Sequence, residues 1–204
     1  MTNSARFLSA VLSPRPRGSR LIEVFSPKLG RRLQCFGEPA FRQWIRLEAD
    51  PMVQTFCERP IRFKIGGQDK LADFWVRDRE SEFLLLLEDE YETPITIVSG
   101  IDLPVKPVPM AEIAAARMWI SNWERMLPAI TCCRDVLPAS FIHAVGKTIT
   151  EPTQLSRIER DVTTGDPTLL RAAVFTLLHR GKLHAPLLHT EPLSFLTVFE
   201  PMGE

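Results

Sequence analysis

A chain of 204 residues, 45% hydrophobic and 25% charged, can bury a core as one domain with an appendage or as two small domains. Its 25 basic and 25 acidic residues cancel, which excludes nucleic-acid binding driven by bulk charge and leaves only local basic patches. No run reaches the roughly 20 apolar residues of a membrane-spanning helix, so no membrane partner is expected.

Residues 1–20 end in "SPRPRGSR" and predict an extended basic arm, suited to phosphates as well as to solvent. "LIEVFSPKLGRRLQCF" then predicts a strand, a Pro/Gly turn and a second strand, with Lys28, Arg31 and Arg32 clustered at the turn. From Gly37, "EPAFRQWIRLEAD" spaces Phe41, Trp44, Ile45 and Leu47 as an amphipathic helix that opens with Glu38 and stops before Pro51. Four short β-like runs follow, "MVQTF", "RPIRFKI", "LADFWVR" and "SEFLLLLE", with "GGQDK" as a hairpin turn between the second and third. The "LLLL" run lacks polar alternation, which places its strand inside a sheet covered on both faces.

"AEIAAARMWISNWERML" predicts one long helix whose Met118, Trp119, Trp123 and Met126 stripe reads as core. After Pro138 the order is helix, turn, helix, strand: "TQLSRIERDV", "TTGD", "PTLLRAAVFTLLHRG" and "KLHAPLLHTEPLSFLTVF". Asp166 and Pro167 start the second of these helices and Gly181 ends it. Two short helices followed by a small β element have the organisation of a winged helix-turn-helix. The domains expected are thus an arm over 1–20, an α/β (α+β) core over 21–107, a helical segment linking or completing it over 108–137, and a winged-helix-like domain over 138–204.

The cysteines Cys35, Cys57, Cys132 and Cys133 form no C-x-x-C pair and the histidines complete no zinc spacing, so the thiols read as reduced in a cytosol. His143, His179, His184 and His189 read as surface or packing residues, with no nucleophile elbow to serve. No Gly-rich phosphate loop is present.

The chemistry concentrates in "LADFWVRDRESEFLLLLEDE", residues 71–90. Strand alternation points Glu88 and Glu90 one way and Asp89 the other. A hairpin through "RDRESE" would bring Asp73 beside the end of the neighbouring strand. Carboxylates converging there repel one another unless a cation sits between them, and a divalent ion with oxygen ligands fits that need. The plain alternative is a strand that ends in a solvated charged loop.

The run "GEPAFRQWIRLEADPMVQTFCERPIRFKIGGQDKLADFWVRDRESEFLLLLEDE" resembles the N-terminal nuclease domain of TnsA, the endonuclease subunit of transposons with a heteromeric transposase. The matching features are Glu38 opening a helix, the "EADPMVQTFCERPIRF" passage, the "ADF" of residues 72–74 and the "EDE" of residues 88–90. The C-terminal "LLRAAVFTLLHRGKLHAPLLHTEPLSFLTVF" also resembles the small winged-helix-like domain of relatives.

The resemblance implies a restriction-endonuclease-like mixed sheet flanked by helices, with Glu38, Asp73 and Glu88 holding Mg²⁺ or Mn²⁺. It implies a bacterial cytoplasmic DNA endonuclease subunit that cuts one strand at each transposon end. A DDE-type transposase subunit would cut the other strand, and an ATPase regulator would direct both. Arg31, Arg32 and the arm would touch DNA, and the C-terminal domain would dock partner proteins.

Glu90 stands where the family carries lysine, and it would orient water or serve as a second metal ligand. Lys70 is a substitute cation only if it shares a face with Asp73, and three residues apart on one ideal strand they do not. Lys64 is a further candidate. Two other readings stay open: a non-catalytic nuclease-fold scaffold that binds DNA or the transposase, and a winged-helix DNA-binding regulator.

Overall fold

The computed structural model describes residues 18–65, 68–88, 103–162 and 166–203, the side chains of 64, 65, 68 and 69 excepted. The basic arm up to residue 17, Asp89, Glu90 and the Lys64 side chain therefore lie outside the described residues. The chain is mixed α/β and divides into two compact units, residues 1–47 with 52–115 and residues 48–51 with 116–204. No described helix is long and apolar enough to cross a membrane.

The first unit opens with the antiparallel pair β1 (Leu21–Ser26) and β2 (Arg31–Phe36). Their turn closes on Ser26, whose carbonyl accepts from Gly30 N and whose Oγ accepts from Leu29 N. Gly30 takes φ 66°, a left-handed value that a side chain would disfavour. Helix α1 (Glu38–Ala49) follows with proline in its first turn, and its Trp44, Ile45 and Leu47 are buried as the spacing predicts.

Six short strands come next: β3 (Thr55–Glu58), β4 (Arg62–Ile65), β5 (Gln68–Leu71), β6 (Phe74–Arg77), β7 (Glu82–Leu86) and, after residues 89–102, β8 (Val105–Pro107). One sheet has the order β3-β6-β7-β8, antiparallel up to β7 and parallel between β7 and β8. The leucine-rich β7 is an interior strand buried along most of its length, as expected of a run without polar alternation.

β4 and β5 form a separate antiparallel pair with Ile65 opposite Gln68, so residues 68–70 belong to a strand and not to the "GGQDK" turn. "LADFWVR" is correspondingly two strands in two sheets, broken at Ala72 and Asp73. Cys57, Phe63, Ala72, Trp75, Leu84, Leu86 and Val105 pack into one cluster. Each large apolar side chain buried this way contributes about 1.5–3 kcal/mol. Helix α2 (Met110–Ala115) closes the unit, its Glu112 paired with Arg46 of α1.

The predicted long helix is thus two, α2 and then α3 (Arg117–Cys133), with Ala116 between them. α3 runs on through Pro128 to Cys133, because its buried face of Trp123, Met126, Leu127 and Ile130 outweighs the one backbone bond that proline removes.

The rest of the second unit holds α4 (Ala139–Thr148), β9 (Thr153–Gln154), α5 (Leu155–Asp161), α6 (Pro167–His179), β10 (Leu183–His184), a 3₁₀ turn over Pro186–His189 and β11 (Val198–Pro201). Helix α4 has no counterpart in the sequence reading. The C-terminal run predicted as a strand is mostly irregular, with short strands at its two ends.

These strands make a small antiparallel sheet in the order β10-β11-β9. Asp166 caps α6 by accepting from Thr168 N at 2.8 Å, with Pro167 at the first helical position. Gly181 follows its end at φ 65°, where a Cβ would stand 2.7 Å from Pro51 Cβ. Asn122 of α3 binds three backbone groups of the irregular segment: its Nδ2 donates to the Leu188 and Glu191 carbonyls, and its Oδ1 accepts from Leu193 N.

Candidate functional site

The break between β5 and β6 positions Asp73. Its N–H donates to the Leu85 carbonyl at 3.0 Å, continuing the β6–β7 ladder by one residue, while its carbonyl accepts from Arg59 N at 2.8 Å. Its carboxylate then reaches past the end of β7, where Oδ2 accepts from Leu87 N at 2.7 Å. This clamp sets Asp73 beside Glu88, and the charge of Glu88 acts on it. Burial, assisted by Glu88 and opposed by the Leu87 hydrogen bond and Arg59, pushes the Asp73 carboxyl up from 3.8 to about 6.

A cation already stands on the second acid. Lys70 Nζ lies 2.5 Å from Glu88 Oε2, with the lysine side chain 24% and the glutamate 38% exposed. Strand alternation alone would put Lys70 on the opposite face from Asp73. That parity holds only within one strand, and the chain changes sheets between them.

Glu38 is elsewhere engaged. Its Oε1 accepts from Arg42 Nε at 2.9 Å, one helical turn along α1, and the side chain is half exposed. Among the described residues no group of three or more His, Cys, Asp or Glu side chains is arranged to hold a metal ion. The set the structure brings together is Asp73, Glu88 and Lys70. Asp73 and Glu88 fit the needs of Mg²⁺, a hard ion bound through one or two carboxylates that keeps several waters, and Lys70 marks the position as one that takes positive charge.

Asp73 also lines a cavity of about 210 Å³ with Gln34, Ala40, Glu58 and Arg59 among its other walls. Glu58 is buried and takes both oxygens to Arg31, whose Nη1 and Nη2 lie at 2.8 and 2.6 Å. The pair holds the Arg31 guanidinium above its ordinary pKa, chiefly through these hydrogen bonds, so Arg31 braces Glu58, a residue of the cavity wall, besides standing near the β1–β2 turn. Arg59 is buried with its guanidinium over the Phe36 ring, 4.6 Å from the centroid. Its backbone has φ 48°, a left-handed value rare for a long side chain. Burial first, and Arg62 second, lower the Arg59 pKa, while Asp73 opposes them. Neither Glu58 nor Arg59 stood out in the sequence; the only signal was a charged pair, Glu-Arg, before Pro60 in an apolar passage.

In the second unit one cation of α6 is held by an acid. Arg171 Nε donates to Glu159 Oε1 at 2.5 Å, an ion pair that raises the arginine's pKa. A cavity of about 290 Å³ here is lined mainly by apolar groups, Leu155, Phe175, Leu193 and Phe195, with Arg125 and Arg171 and no acid among the described lining residues. Phe195 and Leu196 are 56% and 67% exposed beside it. Two of the histidines pack as anticipated: His189 stacks on Trp119 at 4.1 Å, and buried His179 bonds Glu48 Oε2 at 3.0 Å. All four cysteines are free thiols.

No protein-family model matches the chain, and a search of curated proteins finds no relative.

Proposed function

We propose that the chain is the Mg²⁺-dependent DNA endonuclease subunit of a transposon's heteromeric transposase, with a restriction-endonuclease-like first unit and a winged-helix-like second unit. The observation that carries this reading is the clamp of Asp73 on Leu87 N. It puts an aspartate from the head of one strand beside Glu88 at the exit of the next. Chain order supports it too, since a helix, an aspartate at a strand head and an acid at the next strand's end follow one another as in the TnsA-like pattern. For the second unit the support is the sheet order β10-β11-β9 around α5 and α6, the arrangement of a helix pair with a small wing.

In this reading Asp73 and Glu88 hold the ion, which when bound supplies Lewis acidity toward a phosphodiester. Asp73, fixed by Leu87, keeps one oxygen orientation without waiting for substrate, and such preorganisation is what an electrostatic catalyst needs. Glu90, outside the described residues, keeps its assigned part of orienting the attacking water. Arg32 and the N-terminal arm meet the DNA backbone, and the apolar groove with Phe195 serves a partner protein such as the transposase or its ATPase regulator.

Reconstitution with the transposase, the regulator and element-end DNA in Mg²⁺ tests the assignment. Asp73→Ala is expected to lower nicking of the assigned strand at least ~100-fold while the transposase's own cut persists, and undiminished nicking would sink the catalytic role. One observation favours a second reading, a scaffold that binds DNA or the transposase without cutting: Glu38 is paired with Arg42 and not with the other acids. The scaffold reading requires that no variant of Asp73 or Glu88 change any cleavage product while complex assembly stays intact.

A further inference from the structure

The Asp73–Glu88 site carries its own counter-ion, and that ion belongs to a different sheet. Lys70 projects from β5, which pairs only with β4 among the described strands, yet its ammonium sits 2.5 Å from Glu88 Oε2, eighteen residues on. A Mg²⁺ ion binds carboxylate oxygen at about 2.0–2.1 Å, so an ammonium and a divalent ion cannot share that oxygen without strong mutual repulsion. Both side chains of the ion pair are partly exposed, at 24% and 38%, so solvent and ligands reach it. A lysine on a flexible four-carbon stem is a mobile point charge that can exchange one anion for another. The anion that a DNA strand brings is the phosphodiester, and lysine is a common partner for it.

We propose that Lys70 couples metal loading to DNA: it occupies Glu88 when no DNA is bound and leaves it for a backbone phosphate when DNA arrives. This inference rests on the reading of Asp73 and Glu88 as metal ligands. Linkage makes the effect reciprocal, so DNA tightens metal binding by the factor by which metal tightens DNA binding. The free protein is thereby held short of its metal, and the site becomes competent only on a strand to be cut.

The test measures Mn²⁺ affinity of the isolated full-length chain by electron paramagnetic resonance of the unbound ion, with and without saturating duplex DNA at low salt. Lys70→Gln is expected to bind Mn²⁺ about tenfold tighter than wild type without DNA, a gain of about 1.4 kcal/mol. DNA should tighten wild type by a comparable factor and leave K70Q within about twofold. Lys70→Arg, which keeps a cation at the position, should retain the DNA dependence. Lys106→Gln is the control for charge in general, because Lys106 Nζ sits over the Phe83 ring, 3.5 Å from its centroid.

Equal affinities of K70Q and wild type without DNA overturn the coupling. So does a tightening by DNA as large in K70Q as in wild type, or a K106Q gain matching that of K70Q. Asp73→Asn separates the two levels. If Mn²⁺ binding is lost in D73N but K70Q behaves as wild type, only the coupling fails; if Mn²⁺ binds nowhere, or binds D73N unchanged, the metal site fails and takes the coupling with it.

Discussion

Asp73 is held in its place at a cost that pH can read out. A carboxyl raised from 3.8 to about 6 binds its proton more tightly in the folded than in the unfolded chain. Its contribution to stability is therefore full below about pH 4 and is lost as pH rises through about 6. Asp73→Asn keeps an oxygen for Leu87 N and carries no titrating proton. In chelator, D73N should exceed wild type in stability at pH 8 by about 2 kcal/mol, after allowance for screening at a partly exposed carboxyl, and the gap should close toward pH 4. Urea unfolding at the two pH values checks this; a D73N protein less stable at pH 8 would show that the carboxylate stabilises the fold when charged. The two acids were legible in sequence because hairpin geometry alone brings a strand head beside the exit of the next strand. Lys70 was not, because residue parity was counted across a break between sheets that no side-chain pattern marks. Glu58 and Arg31 were illegible as a pair for a similar reason: 27 residues and two separate sheets lie between their partnership and any local signal.

Elements with strong local chemistry read correctly and those fixed by distant partners did not. The β1–β2 hairpin, α1 and α6 carry their own turns, caps and apolar spacing, and all three lie where the pattern places them. β8 is three residues, Val105–Pro107, and exists because β7 offers it a parallel edge. Helix α4 holds Gly146 and the β-branched Ile142 and Val145, which weaken its intrinsic signal, while burial of Ile142 and Val145 holds it in the fold. The segment predicted as helix ends at Leu127, and packing of the buried face carries α3 on through Pro128 to Cys133. Gly181 tests how closely one such element is held. It combines φ 65° with a Cβ position 2.7 Å from Pro51 Cβ, so Gly181→Ala meets both backbone strain and a clash with a rigid ring. A loss of about 2 kcal/mol in equilibrium unfolding is expected, and a loss under ~0.5 kcal/mol would mean that Pro51 gives way freely.

At the scale of the molecule, balanced charge limits what the chain does alone. With 25 basic and 25 acidic residues, and with Arg31, Arg42, Arg46, Arg77 and Arg171 paired to acids, the chain carries no excess of positive charge with which to displace counter-ions from DNA. The isolated protein should bind duplex DNA no tighter than about 10⁻⁶ M at physiological salt; under the proposed function the transposase supplies the rest of the affinity. Fluorescence anisotropy across a salt series checks this, and nanomolar binding by the isolated chain would refute it.

The second unit stands on a different kind of economy, visible at Asn122. One buried amide closes three backbone groups between Leu188 and Leu193, and Arg125 Nη1 adds a fourth by donating to the Leu193 carbonyl. A stretch without regular structure is thereby given the hydrogen-bond closure of a helix, and its clock should follow. In hydrogen–deuterium exchange the Leu193 amide is expected to open only with the unit as a whole, within about tenfold of the slowest α6 amides, and Asn122→Ala should release it to the pace of an ordinary loop.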